Sequence, residues 1–163
     1  MKEAVTCDRL KELLRYDPET GVFVWLKNPR HRAIREGNVA GSLCKGRLQI
    51  GIDQRFYRAS RLAWLYVHGE WPKHEIDHIN GDKSDNRIAN LRDVSRLVNQ
   101  QNIRKALRHN ATGILGASRI NRRFRAKLTT DGVSQHLGYF DTPEEAHTAY
   151  VEAKRRLHQG CTL

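Results

Sequence analysis

The sequence has no long apolar run. Its mean hydropathy is −0.70, and nowhere do about 18 consecutive apolar residues occur, which excludes a membrane-spanning helix. The opening stretch Met1–Asp8 lacks the apolar segment of a secretory signal. Cysteine is scarce: Cys7, Cys44 and Cys161 are isolated and odd in number. They cannot close a disulfide framework, and without a Cys-x-x-Cys pair no structural zinc is expected. These absences together point to a reduced, cytoplasmic setting. Internal repeats and low-complexity runs are also missing. The 163 residues suit one medium domain or two small ones.

The most informative absence is local. From Val94 to Thr130, a window of 37 residues, there is no Asp or Glu. The same window holds nine cations: Arg96, Arg104, Lys105, Arg108, Arg119, Arg122, Arg123, Arg125 and Lys127. The whole chain has 29 Lys and Arg against 18 Asp and Glu, net +11, so the remainder carries 20 against 18, only +2. A basic stretch can be an ordinary solvated face. The complete lack of acids over this length favours a surface that tracks phosphates, and the overall basicity makes nucleic acid the expected partner.

The pattern of residues predicts small elements. Thr6 caps a helix over 7–15, with Leu10, Leu13 and Leu14 on one face. Asp17-Pro18-Glu19-Thr20-Gly21 is a turn before a strand over 22–26. Residues 27–42 read as basic and irregular, and two strands follow over 46–52 and 55–58, turning at Asp53-Gln54. A helix from Arg61 to His68 closes at Gly69. A short strand ends at Asp77-His78, a second lies within Ile88–Val94, and Ser95 caps a helix over 96–107. Residues 108–113 read as a linker. Beyond them come strands starting near Leu115, over 123–128 and over 135–140, then a capping box at Thr142-Pro143-Glu144-Glu145 and a helix.

One constellation carries chemistry. A His at the end of one strand, an Asn in the return of its hairpin and an Asn on the following helix can converge on one point. His78 can take a proton from water. Asp77 offers a hard anionic oxygen and Asn99 a neutral amide oxygen to a divalent cation, which stabilises the charge of a phosphodiester under attack. Asn90 can accept a hydrogen bond from the imidazole and fix its tautomer. Asn86 reads as a turn former rather than a catalytic group, and Asn102 as an exposed helix residue. Trp25, Trp64 and Trp71 read as packing residues, and His31, His68, His74 and His109 as surface residues.

The run Ile76-Asp77-His78-Ile79-Asn80-Gly81-Asp82-Lys83, with Asp85-Asn86-Arg87, Asn90-Leu91-Arg92 and Asn99, resembles the zinc-free phage and homing type of HNH nuclease. Asp17-Pro18-Glu19-Thr20-Gly21 with Phe23 and Trp25, and Tyr57-Arg58 with Arg61-Leu62-Ala63-Trp64, resemble the lead-in of those enzymes. Downstream, Thr112-Gly113, Phe124-Arg125-Ala126, His136-Leu137-Gly138-Tyr139-Phe140, Thr142-Pro143-Glu144-Glu145-Ala146 and Ala149-Tyr150 are similar to the Apetala-type, ethylene-response-factor-like DNA-binding domain.

The resemblance implies an α+β fold. A ββα-metal (His-Me finger) core at about 74–107 would lie in a nuclease domain spanning 1–107, with small strand and helix elements at its N-terminus. A three-stranded antiparallel sheet packed on one helix would fill 114–163. It implies a metal-dependent endonuclease holding Mg²⁺ or Mn²⁺, with His78 as general base, Asp77 and Asn99 as ligands and Asn90 orienting His78. The nine cations of the basic window would contact double-stranded DNA, with no membrane involved. The protein would be a monomer or weak dimer in a bacterial host or phage-infected cell, nicking one strand and leaving 5′-phosphate and 3′-hydroxyl ends. Two departures stand out. The helix offers Asn99 where a His is common, making an HNN-like variant. Ser60 stands where related phage sequences usually have a His; if that His binds DNA or steadies the site, activity is lower. The competing readings are a DNA-binding regulator with a vestigial nuclease site and, ranked last, an RNA-binding protein.

Overall fold

The computed structural model describes residues 4–27 and 35–163. Residues 28–34, including His31 and much of the stretch expected to be irregular, lie outside the described residues. The fold is mixed α and β, with small sheets and four α-helices among the described residues. It divides into two compact units, Met1–Ser95 and Arg96–Leu163. Among the described residues no helix is long and apolar enough to cross a membrane.

The first unit begins with helix α1 (Cys7–Leu13), whose Thr6 side chain accepts a hydrogen bond from the Arg9 amide. The expected helix stops early because Leu14–Asp17 becomes strand β1, antiparallel to β2 (Val22–Trp25). Pairing turns Leu14 and Tyr16 inward, which buries more apolar surface than a further helical turn with Arg15 and Tyr16. Strands β3 (Ser42–Cys44), β4 (Arg47–Ile52) and β5 (Arg55–Arg58) form an antiparallel sheet in that order. The sequence pattern does not predict β3. It exists because Lys45 and Gly46 both take positive φ, 50° and 72°, the geometry of a tight hairpin turn.

Helix α2 (Ala59–His68) follows β5 directly and ends at Gly69, whose φ is 77°. Strands β6 (Glu75–His78) and β7 (Leu91–Val94) pair antiparallel, with Asp77 opposite Arg92 and His78 opposite Leu91. Between them Ile88–Asn90 forms a 3₁₀ turn, so the strand expected within Ile88–Val94 occupies its last four residues. The core is contributed by α1, β1, β2, β4 and α2 through Leu10, Leu14, Phe23, Ile50, Leu62 and Leu65. Each such side chain contributes roughly 1.5–3 kcal/mol by leaving water.

The second unit holds α3 (Arg96–Gln101), strands β8 (Ala117–Ile120), β9 (Arg123–Thr130) and β10 (Val133–Phe140), and α4 (Pro143–Leu157). The sheet order is β10-β9-β8, all antiparallel. Thr142 and Glu145 form the predicted capping box, with proline in the first turn of α4. Ala117, Ala126 and Ala146 are small enough for helix and sheet to approach closely, with Phe124, Phe140 and Tyr150 packed around them. Gly116, at φ 79°, lies so near Tyr150 that an added Cβ would sit 2.0 Å from its ring.

Helix α3 ends at Gln101 rather than at 107. The Ile103 carbonyl, which a continuing helix would give to residue 107, accepts instead from the ammonium of Lys154 on α4. That lysine is 1% exposed, and burial lowers its pKa. Arg104 is drawn the same way, donating to Thr162. Residues 110–117 are knotted: Asn110 Nδ2 donates to the carbonyls of Ile114 (2.9 Å) and Ala117 (3.1 Å), and Asn110 Oδ1 accepts from the Thr112 amide at 3.0 Å.

Candidate active site

His78 closes β6 and is 4% exposed. Its Nε2 lies 3.3 Å from Asn86 Oδ1. The Asn86 amide nitrogen donates to the Ser84 carbonyl at 3.1 Å, which turns its oxygen toward the ring. Nε2 is then the donor, and the lone pair of the neutral imidazole sits on Nδ1. Burial lowers the His78 pKa, and the nearby Arg47 charge adds to this, while Asn86, Asp77 and Asp82 oppose it. The net result is a ring that stays neutral, the form a proton acceptor needs.

The loop between β6 and β7 is held by its own side chains. Asn80 Oδ1 accepts from the Asp82 amide at 2.9 Å, and Asp82 Oδ1 accepts from the Ser84 amide at 2.9 Å. Asp85 accepts from Asn80 Nδ2 at 2.7 Å and pairs with Arg87 at 2.6 Å, and chiefly this arginine holds its carboxyl down at about 2. Asn90 spans the loop mouth. Its Oδ1 accepts from the Asn80 amide at 2.9 Å, and its Nδ2 donates to the Asp85 carbonyl at 2.8 Å. The Ile79 amide also donates to the Asn90 carbonyl at 2.9 Å.

The sequence pattern assigns the imidazole contact to Asn90 and a turn role to Asn86. In the structure Asn86 contacts the ring and Asn90 clamps the loop. The exchange has a steric cause. The 3₁₀ turn at Ile88–Asn90 aims the Asn90 amide across the loop backbone, while Asn86, 3% exposed, lies under His78.

The hairpin of β1 and β2 seats this loop. Tyr16 Oη donates to the Asn86 carbonyl at 2.7 Å, and the Ile88 amide donates to the Pro18 carbonyl at 3.2 Å. Gly21, at φ 73°, lies against the same segment; a Cβ there would stand 2.5 Å from the Arg87 amide nitrogen. The Asp-Pro-Glu-Thr-Gly turn thus has a function: it positions the residue that contacts His78.

Asp77, beside His78 on β6, is 6% exposed and accepts from Arg92 through Oδ2, at 2.9 Å from Nε and 2.7 Å from the terminal nitrogen. The pair lies directly across the β6–β7 ladder. The Asp77 carboxylate is the hard oxygen donor placed next to His78, the kind of group that divalent cations such as Mg²⁺ or Mn²⁺ take. An ion at Asp77 shares that carboxylate with the Arg92 guanidinium or displaces it. No group of three or more His, Cys, Asp or Glu capable of holding a metal occurs among the described residues. Asn99 lies on α3, in the second unit, partly buried. Ser60 is buried in the first turn of α2, 4% exposed.

The nine cations of the basic window fall into distinct settings. Arg123, Arg125 and Lys127 alternate along β9 with Phe124, Ala126 and Leu128, so they occupy the sheet face opposite α4. Across from them stand Ser118 on β8 and His136 and Tyr139 on β10. Arg123 pairs with Asp141 at 3.1 Å, and the buried Nε of Arg125 has no hydrogen-bond partner among the described residues. Arg119 pairs in register with Phe124 and so belongs to the other side. Arg122 is exposed in the β8–β9 turn, and Arg96, Lys105 and Arg108 are exposed on or after α3. Arg104 is partly buried against Thr162.

Residues 57–101 match a family model described as HNH endonuclease. The match spans β6, the clamped loop, β7 and α3. It supports a nuclease-type hydrolase with DNA as substrate. No curated protein and no solved structure matches the chain.

Proposed function

We propose that the protein is a divalent-metal-dependent DNA endonuclease that nicks double-stranded DNA and uses its C-terminal unit to hold the duplex. The observation that carries this reading is the neutral, buried His78, held through Asn86 on a loop that Asn90 clamps. His78 takes the proton of the attacking water at Nδ1. Asn86 holds Nε2–H and keeps the ring in the accepting tautomer. Tyr16 and the turn at Gly21 fix Asn86, so the ring does not reorganise during the reaction. Asp77 supplies the carboxylate ligand, and the resemblance assigns a second oxygen to Asn99. A bound Mg²⁺ or Mn²⁺ would stabilise charge on the phosphorane and the leaving oxygen.

The C-terminal sheet resembles the Apetala-type domain, and its face carrying the half-buried Arg125 and the exposed Lys127, His136 and Tyr139 suits a DNA groove or backbone. A monomer with one such site cuts one strand at a time. The Arg92–Asp77 ion pair favours a second reading, a DNA-binding protein whose nuclease site is silent because its carboxylate is taken. Supercoiled plasmid with Mg²⁺ or Mn²⁺ separates the two. Wild type should convert it to open circles and His78→Ala should not. If both bind duplex DNA and neither cuts, the enzyme reading is overturned.

A further inference from the structure

We propose that the segment after α4, residues 158–163, is the mount that sets Asn99, which makes Gly160 and Thr162 positioning residues for the oxygen that the resemblance gives to the metal. The inference deepens the nuclease reading above and rests on it for the role of Asn99; the mount itself rests on contacts within the second unit.

Helix α3 cannot hold itself. It has six residues, and none of them is buried. A helix this short is unstable alone, because the cost of nucleation outweighs its few hydrogen bonds. With no side chain of its own in the core, packing does not fix it either.

The segment 158–163 supplies support on both sides of Asn99. Gly160 lies against the backbone just before it: an added Cβ would stand 2.1 Å from the Val98 carbonyl oxygen and 3.0 Å from the Gln101 Cβ. Only a residue without a Cβ approaches a carbonyl this closely. The Gly160 amide donates to Gln101 Oε1 at 3.0 Å. Beyond Asn99, the Thr162 hydroxyl donates to Asn102 Oδ1. The Asn102 amide in turn donates to the Asn99 carbonyl at 3.1 Å. Thr162 therefore reaches Asn99 through a single residue.

The segment is anchored on α4 and on the sheet. The His158 amide donates to the Lys154 carbonyl at 2.9 Å, and His158 Nε2 donates to the Thr129 carbonyl of β9 at 3.0 Å. The Cys161 amide donates to the His158 carbonyl at 3.0 Å, which turns the chain back. Arg155 Nε on α4 donates to the Leu163 carbonyl at 3.1 Å. A line of bonds thus runs from β9 through this segment to Asn99. Strand β9 also carries Arg125 and Lys127. The residue assigned to the metal and the face assigned to DNA share one frame.

The test uses the full-length protein. Thr162→Val keeps the shape of the side chain and removes the hydroxyl, while Gly160→Ala sets a Cβ against the Val98 carbonyl. Amide exchange at Asn102, whose N–H holds the Asn99 carbonyl, should quicken about threefold to tenfold in Thr162→Val, the effect of one hydrogen bond. Exchange along β9 should stay as in wild type. Unchanged exchange at Asn102, or faster exchange throughout the unit, overturns the proposal. Mn²⁺ affinity, read from the EPR signal of the free ion, should fall by a similar factor in both variants. In an Asn99→Ala background Thr162→Val should lower it no further, because the segment acts through Asn99. An equal loss in that background overturns the proposal, as does wild-type affinity in both variants when Asn99→Ala has lost it. If Asn99→Ala itself takes up Mn²⁺ like wild type, the ligand role taken from the nuclease reading is what fails, and exchange at Asn102 alone decides the mount. Mn²⁺ affinity that follows Thr162 in a wild type that does not nick supports the proposal and places the failure on the nuclease reading.

Discussion

Replacing Asn90 by Asp separates a loop clamp from a group that touches the reacting atoms. The variant is isosteric and still accepts from the Asn80 amide, but it cannot donate to the Asp85 carbonyl, now bonded at 2.8 Å. Leaving this part-buried carbonyl without its donor costs about 1 kcal/mol, the low end of the range for an unsatisfied group. The new carboxylate, 8% exposed as Asn90 is, adds repulsion from the same oxygen and from the Asp85 side chain. All three tryptophans, Trp25, Trp64 and Trp71, lie in the first unit, so their fluorescence reports its unfolding alone. For a domain of under 100 residues each kcal/mol moves the midpoint by roughly 4–8 °C, so Tm should fall by at least about 4 °C. Amide exchange at Asn80 should speed up in parallel, because the clamp is what closes the loop. An Asn90→Asp protein that melts like wild type yet no longer nicks would refute the clamp. That pattern belongs to a residue that acts on the chemistry directly.

Three further outcomes follow from the same geometry. Gly21→Ala should destabilise the first unit by more than ~1 kcal/mol in denaturant titrations, since φ is 73° and the Cβ meets the Arg87 backbone at 2.5 Å; a neutral result would remove the hairpin as a support of the loop. Because burial lowers the His78 pKa below 6.5, the base form persists into mildly acidic solution. The nicking rate should therefore start to fall only below pH 6.5, and a limb centred above pH 7 would contradict the assignment. Arg125→Ala with Lys127→Ala should weaken duplex binding and flatten its salt dependence by about one unit of log–log slope for each phosphate that is no longer neutralised, whereas Arg104→Ala, whose side chain is bonded to Thr162, should leave that slope unchanged.

Much of the local structure is legible in the sequence because it rests on local chemistry. The Thr142 capping box, the Gly69 helix stop and the Asp53-Gln54 turn are written in neighbouring residues, and each is found where expected. What escapes such reading depends on partners distant in the chain. Helix α3 is cut short by Lys154, 51 positions from its bond partner Ile103. Tyr16 reaches Asn86 across 70 positions, so nothing near Asn86 marks it as the residue against the imidazole. The spacing of Asp77, His78, Asn86 and Asn90 points to a site, while the division of labour between the two asparagines requires the direction of each amide.

The central claim is that His78 activates water for hydrolysis of a DNA phosphodiester. Treating wild-type reaction products with DNA ligase tests it most directly. Wild type with Mg²⁺ should give open circles that the ligase reseals, as 5′-phosphate and 3′-hydroxyl ends require, while a folded His78→Ala protein should leave the plasmid supercoiled. Open circles produced equally by His78→Ala, or nicks that ligase cannot close, would contradict the account.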